Sequence, residues 1–309
     1  MMQAAFHEPV LLHEALQLLL TDPAGIYVDA TAGGGGHAAA LARNLVAGGR
    51  LICFDADEEA LRTARVVLAG TPAELRQANF RNLRQELATL DIHRVTGLLF
   101  DLGVSSRQLD DPERGFSFRA DEPLDMRMDS RQSLSGRQVV NDYGEGRLAD
   151  IVFQYGEERH SRRIARNIVQ ARPLETTGDL RDAVAAAIGH GPFLVKSLAR
   201  VFQAVRIEVN GELAALAQAL RDGTALLSPG GRMVVISYHS LEDRQVKEWF
   251  RQESRAVPLG PPPMAAMSSP RLRTLTRKPI TPGVEELRLN PRSRSAKLRA
   301  AERLPLEHP

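Results

Sequence analysis

Tyr27-Val28-Asp29-Ala30-Thr31-Ala32-Gly33-Gly34-Gly35-Gly36-His37 reads as a buried strand, a glycine turn and the first residues of a helix. Ile26, Tyr27 and Val28 form the apolar strand, and the alanine-rich run from Ala38 to Leu45 continues as a helix. Glycines belong where φ turns positive and where a ligand must approach the backbone. The N–H groups at the helix start then face that ligand. Gly33-x-Gly35-x-x-Ala38 satisfies the loose dinucleotide fingerprint, so the turn alone leaves two cofactors open. Asp29 ends the strand just before the turn and tilts the choice, because a carboxylate there repels a pyrophosphate and attracts a cation. S-adenosylmethionine, with its sulfonium and α-ammonium, is such a cation. Leu51-Ile52-Cys53-Phe54-Asp55 reads as a second strand ending in an acid placed for both ribose hydroxyls, which either cofactor carries.

Further along, the alternation of strand and helix continues. Asp57 can cap a helix to about Leu68, a short strand follows near Leu75 to Gln77, and a helix runs from Asn79-Phe80 to about Leu90. Val95 to Phe100 makes a fourth apolar strand that ends at Asp101-Leu102-Gly103-Val104-Ser105-Ser106. Open α/β sheets put ligands at the carboxyl ends of their strands, which brings Asp29, Asp55, the turn after Gln77 and Asp101 to one rim. Before all of these, His7-Glu8-Pro9-Val10 leads into a helix to about Leu20.

From about Arg107 to Lys196 the pattern changes to short amphipathic helices, so an inserted helical domain is expected over 107–196, within a discontinuous α/β domain of 1–106 and 197–309. Helices are expected near Ser135 to Asn141, Gly146 to Gln154, Glu158 to Arg172 and, after a Thr176-to-Asp179 capping box, to about Ile188. Arg159, Arg162, Arg163 and Arg166 share overlapping faces and either meet nucleic acid or pair with Glu157 and Glu158. A long helix from about Leu198 to Leu220 resumes the α/β pattern. A turn over Leu226 to Arg232 feeds a strand from Met233 to Ser237, which delivers Tyr238 and His239 to the rim, with Ser240 and Asp243 as a capping box for the next helix. Proline and methionine crowd residues 257–270 as a loop. Two basic strand-like segments, near Arg273 to Lys278 and Ser295 to Leu304, close the chain as a hairpin.

Composition sets outer limits. The 309 residues are 43% hydrophobic and 25% charged, ordinary for one or two globular domains. A single cysteine, Cys53, excludes a disulfide framework and a cysteine-rich zinc site. With neither a basic leader nor a long apolar run, a cytoplasmic protein without a membrane span is expected. Formal charge is +2, yet residues 271–309 hold ten Lys or Arg against four Asp or Glu, a balance suited to a phosphate backbone.

Taken together, these stretches resemble the bacterial 16S ribosomal RNA cytosine-N4 methyltransferase family of the MraW or RsmH type, nearly end to end. The resemblance is carried by His7-Glu8-Pro9-Val10-Leu11-Leu12, Asp29-Ala30-Thr31 with Gly34-Gly35-Gly36-His37, Asp101 to Ser106 with Gln108-Leu109-Asp110, Arg114-Gly115-Phe116-Ser117-Phe118, Leu124-Asp125-Met126-Arg127-Met128, Tyr155-Gly156-Glu157-Glu158-Arg159, Phe202 to Ile207, His239 to Arg244 and Arg292 to Arg299. It implies a Rossmann-like S-adenosylmethionine-dependent methyltransferase sheet with an inserted helical substrate-recognition domain, acting on one cytosine of 16S ribosomal RNA in the small subunit. By matching position it places the cofactor against Gly35, Gly36, His37, Asp55, Phe80, Asp101 and Gln108. One segment departs from the family pattern: a His-Pro-Ala-Thr-Arg run is expected before Phe202, and this chain has Lys196-Ser197-Leu198-Ala199-Arg200.

The exocyclic amine of cytosine is a poor nucleophile, so positioning and a hydrogen-bond acceptor for its proton are required. Asp101, Ser105, Ser106 and His239 are the candidates at the rim, and the chemistry calls for no metal. Phe116, Phe118 or Tyr238 could receive an unstacked base. Two other readings stand beside this one: an NAD-type oxidoreductase on the same turn, and an RNA-binding assembly factor that keeps the fold without catalysis.

Overall fold

Near-continuous apolar runs along parallel strands give a sheet whose two faces must both be covered. The computed structural model describes residues 9–256 and 269–305, the Ser106 side chain excepted. His7, Glu8 and most of the proline- and methionine-rich segment lie outside the described residues. The chain divides into two compact units, Met1–Gly103 with Ala214–Pro309, and Val104–Leu213.

The first unit begins with α1 (Leu12–Leu19), β1 (Ile26–Asp29), α2 (Gly36–Ala42), β2 (Arg50–Asp55), α3 (Glu58–Val67), β3 (Ala73–Gln77), α4 (Leu83–Ala88) and β4 (Val95–Asp101). The second unit supplies α5 (Ser106–Asp110), α6 (Gly136–Asp142), α7 (Glu145–Gln154), α8 (Ser161–Gln170), α9 (Thr177–Ile188) and α10 (Leu194–Asn210). Then follow α11 (Glu212–Leu226), β5 (Leu227–Ser237), α12 (Ser240–Glu253), β6 (Leu272–Thr274), α13 (Val284–Leu289) and β7 (Lys297–Arg303). The strands form one sheet in the order β3-β2-β1-β4-β5-β7-β6. β1 to β5 are parallel, while β7 runs antiparallel to both β5 and β6.

Period-2 alternation divides the core of this unit between the two faces of the sheet. Tyr27, Leu51, Cys53, Leu99, Val234 and Ile236 pack with residues of α1, α2 and α3. Their strand neighbours Val28, Ile52, Phe54, Leu98, Phe100 and Val235 pack instead with Leu83 and Leu87 of α4, Leu216 and Leu220 of α11, and Val246 and Phe250 of α12. The carboxyl ends of the parallel strands therefore stay free of core packing, and the acids stand there. The glycine-rich turn expected over Leu226 to Arg232 lies within β5: Val95 pairs with Leu227 and Gly97 with Arg232, so 228–231 bulge from the register.

The second unit has its own core, with Val139, Val140, Leu148, Val152, Ile164, Ile168, Leu180, Val184, Val201, Phe202 and Val205 fully or nearly buried. It runs over 104–213, which moves the expected 107–196 boundaries outward. The single helix expected over Leu198 to Leu220 is two, because Gly211 takes a left-handed φ of 59° and stops α10. Val201, Phe202 and Val205 bind α10 to the helical core, whereas Leu216 and Leu220 bind α11 to the sheet. The irregular stretch after α5 is held by Phe116, Leu124 and Met126, buried in this core, and by polar contacts. The buried Asn210 accepts from the Met128 N–H and donates to the Met126 carbonyl, both at 2.8 Å.

Candidate active site

Chain reversal after β1 places a run of polar groups at the carboxyl ends of β1, β2 and β4. Asp29 is 1% exposed. Its Oδ1 accepts the Thr31 N–H at 3.1 Å, and its Oδ2 is buried with no hydrogen-bond partner among the described residues. Burial pushes its carboxyl up to about 7. Asp55 accepts the Gly33 N–H on Oδ2 and the Asp57 N–H on Oδ1, both at 2.8 Å, which ties the second strand to the glycine turn. Burial again dominates and raises it to about 6.

Asp101 completes the rim. Its N–H donates to the Thr31 hydroxyl at 2.6 Å, and the Tyr238 hydroxyl donates to its Oδ1 at 2.9 Å. Desolvation raises this carboxyl to about 7 despite the Tyr238 hydrogen bond. Its Oδ2 lies 3.5 Å from His37 Nδ1. The other ring nitrogen, Nε2, is 3.0 Å from the Val10 carbonyl, which can only accept, so Nε2 carries the hydrogen. Burial lowers the His37 pKa and favours the neutral ring, whose Nδ1 lone pair then faces Asp101 Oδ2. A proton on that oxygen relieves the conflict, in keeping with the raised Asp101 pKa.

Each glycine of the turn has its own reason. Gly35 has φ 87° and forms the N-cap of α2, and a Cβ there would meet Ala64 Cα at 3.2 Å. A Cβ on Gly36 would meet Pro9 Cγ at 2.5 Å. The protein's own packing thus demands glycine at these two sites. Gly33 and Gly34 have open space around them, with nothing nearer than 3.8 Å to a Cβ, and of the two only Gly33 is constrained by its backbone, at φ 52°. That distinction has no signal in a run of four identical residues.

Phe80, half-buried in a 3-10 turn after β3, stands edge-on to Phe100 with ring centroids 5.9 Å apart. Tyr238 hydrogen-bonds Asp101, a partnership no local pattern reveals because 137 residues separate them. His239, not Ser240, is the N-cap of α12. Its Nδ1 accepts the Glu242 N–H at 3.4 Å while Glu242 Oε2 accepts the Tyr238 and His239 N–H groups. The expected Ser240–Asp243 box is displaced by one residue because the imidazole supplies the acceptor and Asp243 is engaged by Arg299 at 2.6 Å and Lys297 at 3.2 Å.

The remaining candidates lie in the second unit. Ser105 caps α5 in a reciprocal box with Gln108, whose Oε1 accepts the Ser105 N–H at 2.9 Å. Ser106 is the first residue of that helix. Phe116 is buried in the helical core, and Phe118 packs edge-on to Phe202 at 5.4 Å. Ser197 and Arg200, from the segment that departs from the family pattern, both hydrogen-bond Glu158 Oε2, at 3.0 and 3.2 Å.

Charge pairing also differs from what linear order suggests. Much of the basic C-terminal segment is neutralised internally: Arg271 pairs with Glu253 at 2.5 Å, and Arg232 and Arg273 share Glu302 at 3.1 and 2.6 Å. Arg277, Lys278 and Arg294 are exposed.

A model of the MraW methylase family matches residues 4–304. A protein of Heliobacterium modesticaldum named ribosomal RNA small subunit methyltransferase H is 45% identical over 314 residues, covering 96% of this chain and 98% of its own length. A Brevibacillus brevis protein of the same name is 47% identical over 310 residues, with 96% and 98% covered. A third from Dehalococcoides mccartyi is 45% identical over 302 residues, covering 96% of this chain and 86% of the relative.

Proposed function

We propose, from the premise that this chain belongs to the MraW methylase family, that it transfers a methyl group from S-adenosylmethionine to the exocyclic N4 amine of a cytosine in 16S ribosomal RNA of the small subunit, in the bacterial cytoplasm. The names of its relatives, ribosomal RNA small subunit methyltransferase H, support the substrate class. The observation that carries the choice of cofactor is the trio of carboxylates at the strand ends, Asp29 buried and Asp55 and Asp101 partly buried, each raised by desolvation. A sulfonium or ammonium ion relieves that cost, whereas a pyrophosphate adds to it. The unpartnered Asp29 Oδ2 fits a site completed by a positively charged molecule.

Within this reading Asp55 holds the ribose hydroxyls, Gly33 to His37 follow the methionyl end, and Phe80 flanks the adenine. Gln108 is proposed as a further polar contact. The cofactor, when bound, supplies an electrophilic methyl on a sulfonium, and no metal takes part. In its ionised form Asp101 receives the amine proton at Oδ2: Tyr238 fixes the other oxygen, and a carboxyl near 7 can lose its proton and take one up again close to neutral pH. His37 Nδ1 is the nearest relay atom. Ser105, Ser106 and His239 stay as secondary candidates, and the helical insertion as the substrate-recognition part.

The experiment is labelled methyl transfer into small-subunit RNA with mass-spectrometric mapping of the modified nucleotide. Methylation of a cytosine at N4 supports the reading. An inert protein that still binds the cofactor favours an assembly factor, and calorimetric preference for NAD over S-adenosylmethionine overturns it.

A further inference from the structure

The four arginines before and along α8 pose an electrostatic question inside the second unit. Arg162, Arg163 and Arg166 lie on one side of α8, with Ser161, Ile164, Ala165 and Ile168 buried on the other, and Arg159 precedes the helix. All four arginines are exposed. The acid next to them in sequence, Glu158, is 1% exposed and turned inward to Ser197 and Arg200. Among the described residues only Arg166 has an ion-pair partner, Glu145 at 3.8 Å.

This arrangement works against the isolated helix in two ways. Like charges three and four residues apart, as in Arg163–Arg166 and Arg162–Arg166, repel along the helix. Arginines in the first turn also oppose the positive end of the helix dipole, and α8 has no acidic residue there and no side-chain cap from His160. Both penalties become gains when a polyanion lies on the face. The C-terminal segment, although basic in composition, has turned many of its cations to internal acids.

We infer that the α8 face formed by Arg159, Arg162, Arg163 and Arg166 is a docking surface for the phosphate backbone of RNA. The inference rests on the proposed RNA substrate and adds where its backbone is gripped. Regularly spaced guanidiniums, of which only Arg166 meets an acid among the described residues, match a phosphate chain, and they confer affinity without reading sequence.

The test measures binding of full-length protein to small-subunit ribosomal RNA by fluorescence anisotropy across a salt series. It compares wild type with R162Q/R163Q and with R277Q/K278Q, which removes equal charge from the C-terminal segment. Each lost phosphate contact reduces the log affinity–log salt slope by about 0.7 to 0.9, or roughly five- to eightfold in affinity at 0.1 M salt. The α8 pair is expected to show that loss twice over and to retain wild-type affinity for S-adenosylmethionine, with R162K/R163K restoring the slope. Because repulsion is relieved, R162Q/R163Q is expected to melt no lower than wild type. An unchanged slope in R162Q/R163Q overturns the inference, as does an equal loss in both pairs. Wild-type protein that binds cofactor but no RNA overturns the function reading and this surface with it, whereas normal methyl transfer with an unchanged α8 slope overturns the surface alone.

Discussion

Asp55 offers each carboxylate oxygen to a backbone N–H and still has lone pairs to present to a ligand. Replacing it with Ala is expected to weaken S-adenosylmethionine binding by about 1.5 to 3 kcal/mol, the range for hydrogen bonds to a charged group. Calorimetry checks this, and an unchanged affinity removes Asp55 from the site. The trio of acids also sets a pH response. Burial holds Asp29 and Asp101 near 7 and Asp55 near 6 in the folded chain, above ordinary unfolded values near 3.9. Such raised carboxyls contribute stability that is fully present below the unfolded pKa and is lost as pH climbs through 6 to 7. A cationic ligand prefers the ionised forms. Its affinity is therefore expected to be about tenfold or more greater at pH 7.5 than at pH 5.5, and a flat calorimetric profile across that interval would refute the electrostatic account.

Among the elements, α10 shows how a departure from the family pattern is absorbed. Ser197 and Arg200 converge on Glu158, which also accepts the His160 N–H at 3.0 Å. Although burial raises the Glu158 carboxyl, these three donors together hold it below its usual value. Its contribution to stability is in place above the unfolded pKa and is lost as pH falls through the lowered one. Glu158→Ala strands a half-buried guanidinium, so a loss of about 3 kcal/mol is expected from denaturant unfolding. A change within ~0.5 kcal/mol, the range of ordinary surface substitutions, would show that the contact is incidental. The caps at Asp57 and Thr176 belong to the same scale and were readable directly, since each acts within three residues of its own position.

For the whole molecule, the decisive feature is β7. The last strand of the chain enters between β5 and β6, pairing Val235 with Arg299 on one side and Thr274 with Ala301 on the other. Leu298, Ala300 and Ala301 are completely buried there, and Arg299 reaches Asp243 of α12 at 2.6 Å. The two closing strands expected from the sequence are present and pair antiparallel, with α13 between them in the chain, and both belong to the sheet. Truncation after Ala296 is expected to expose the β5 edge and abolish cooperative thermal unfolding followed by circular dichroism. A truncated chain that melts as the full one does would show the sheet to be complete without it.

The sequence by itself determined the alternating strands and helices, the glycine turn, the caps at Asp57 and Thr176, the acids at the strand ends and the family. Each depends on spacing within a few residues or on a motif read whole. Only the tertiary structure decided that Gly35 and Gly36 answer to Ala64 and Pro9, that Tyr238 holds Asp101, that α10 belongs with the helical core, and which arginines meet acids. Those outcomes join residues far apart in the chain. Burial and charge pairing belong to the folded neighbourhood, and that neighbourhood exists only once distant segments have met.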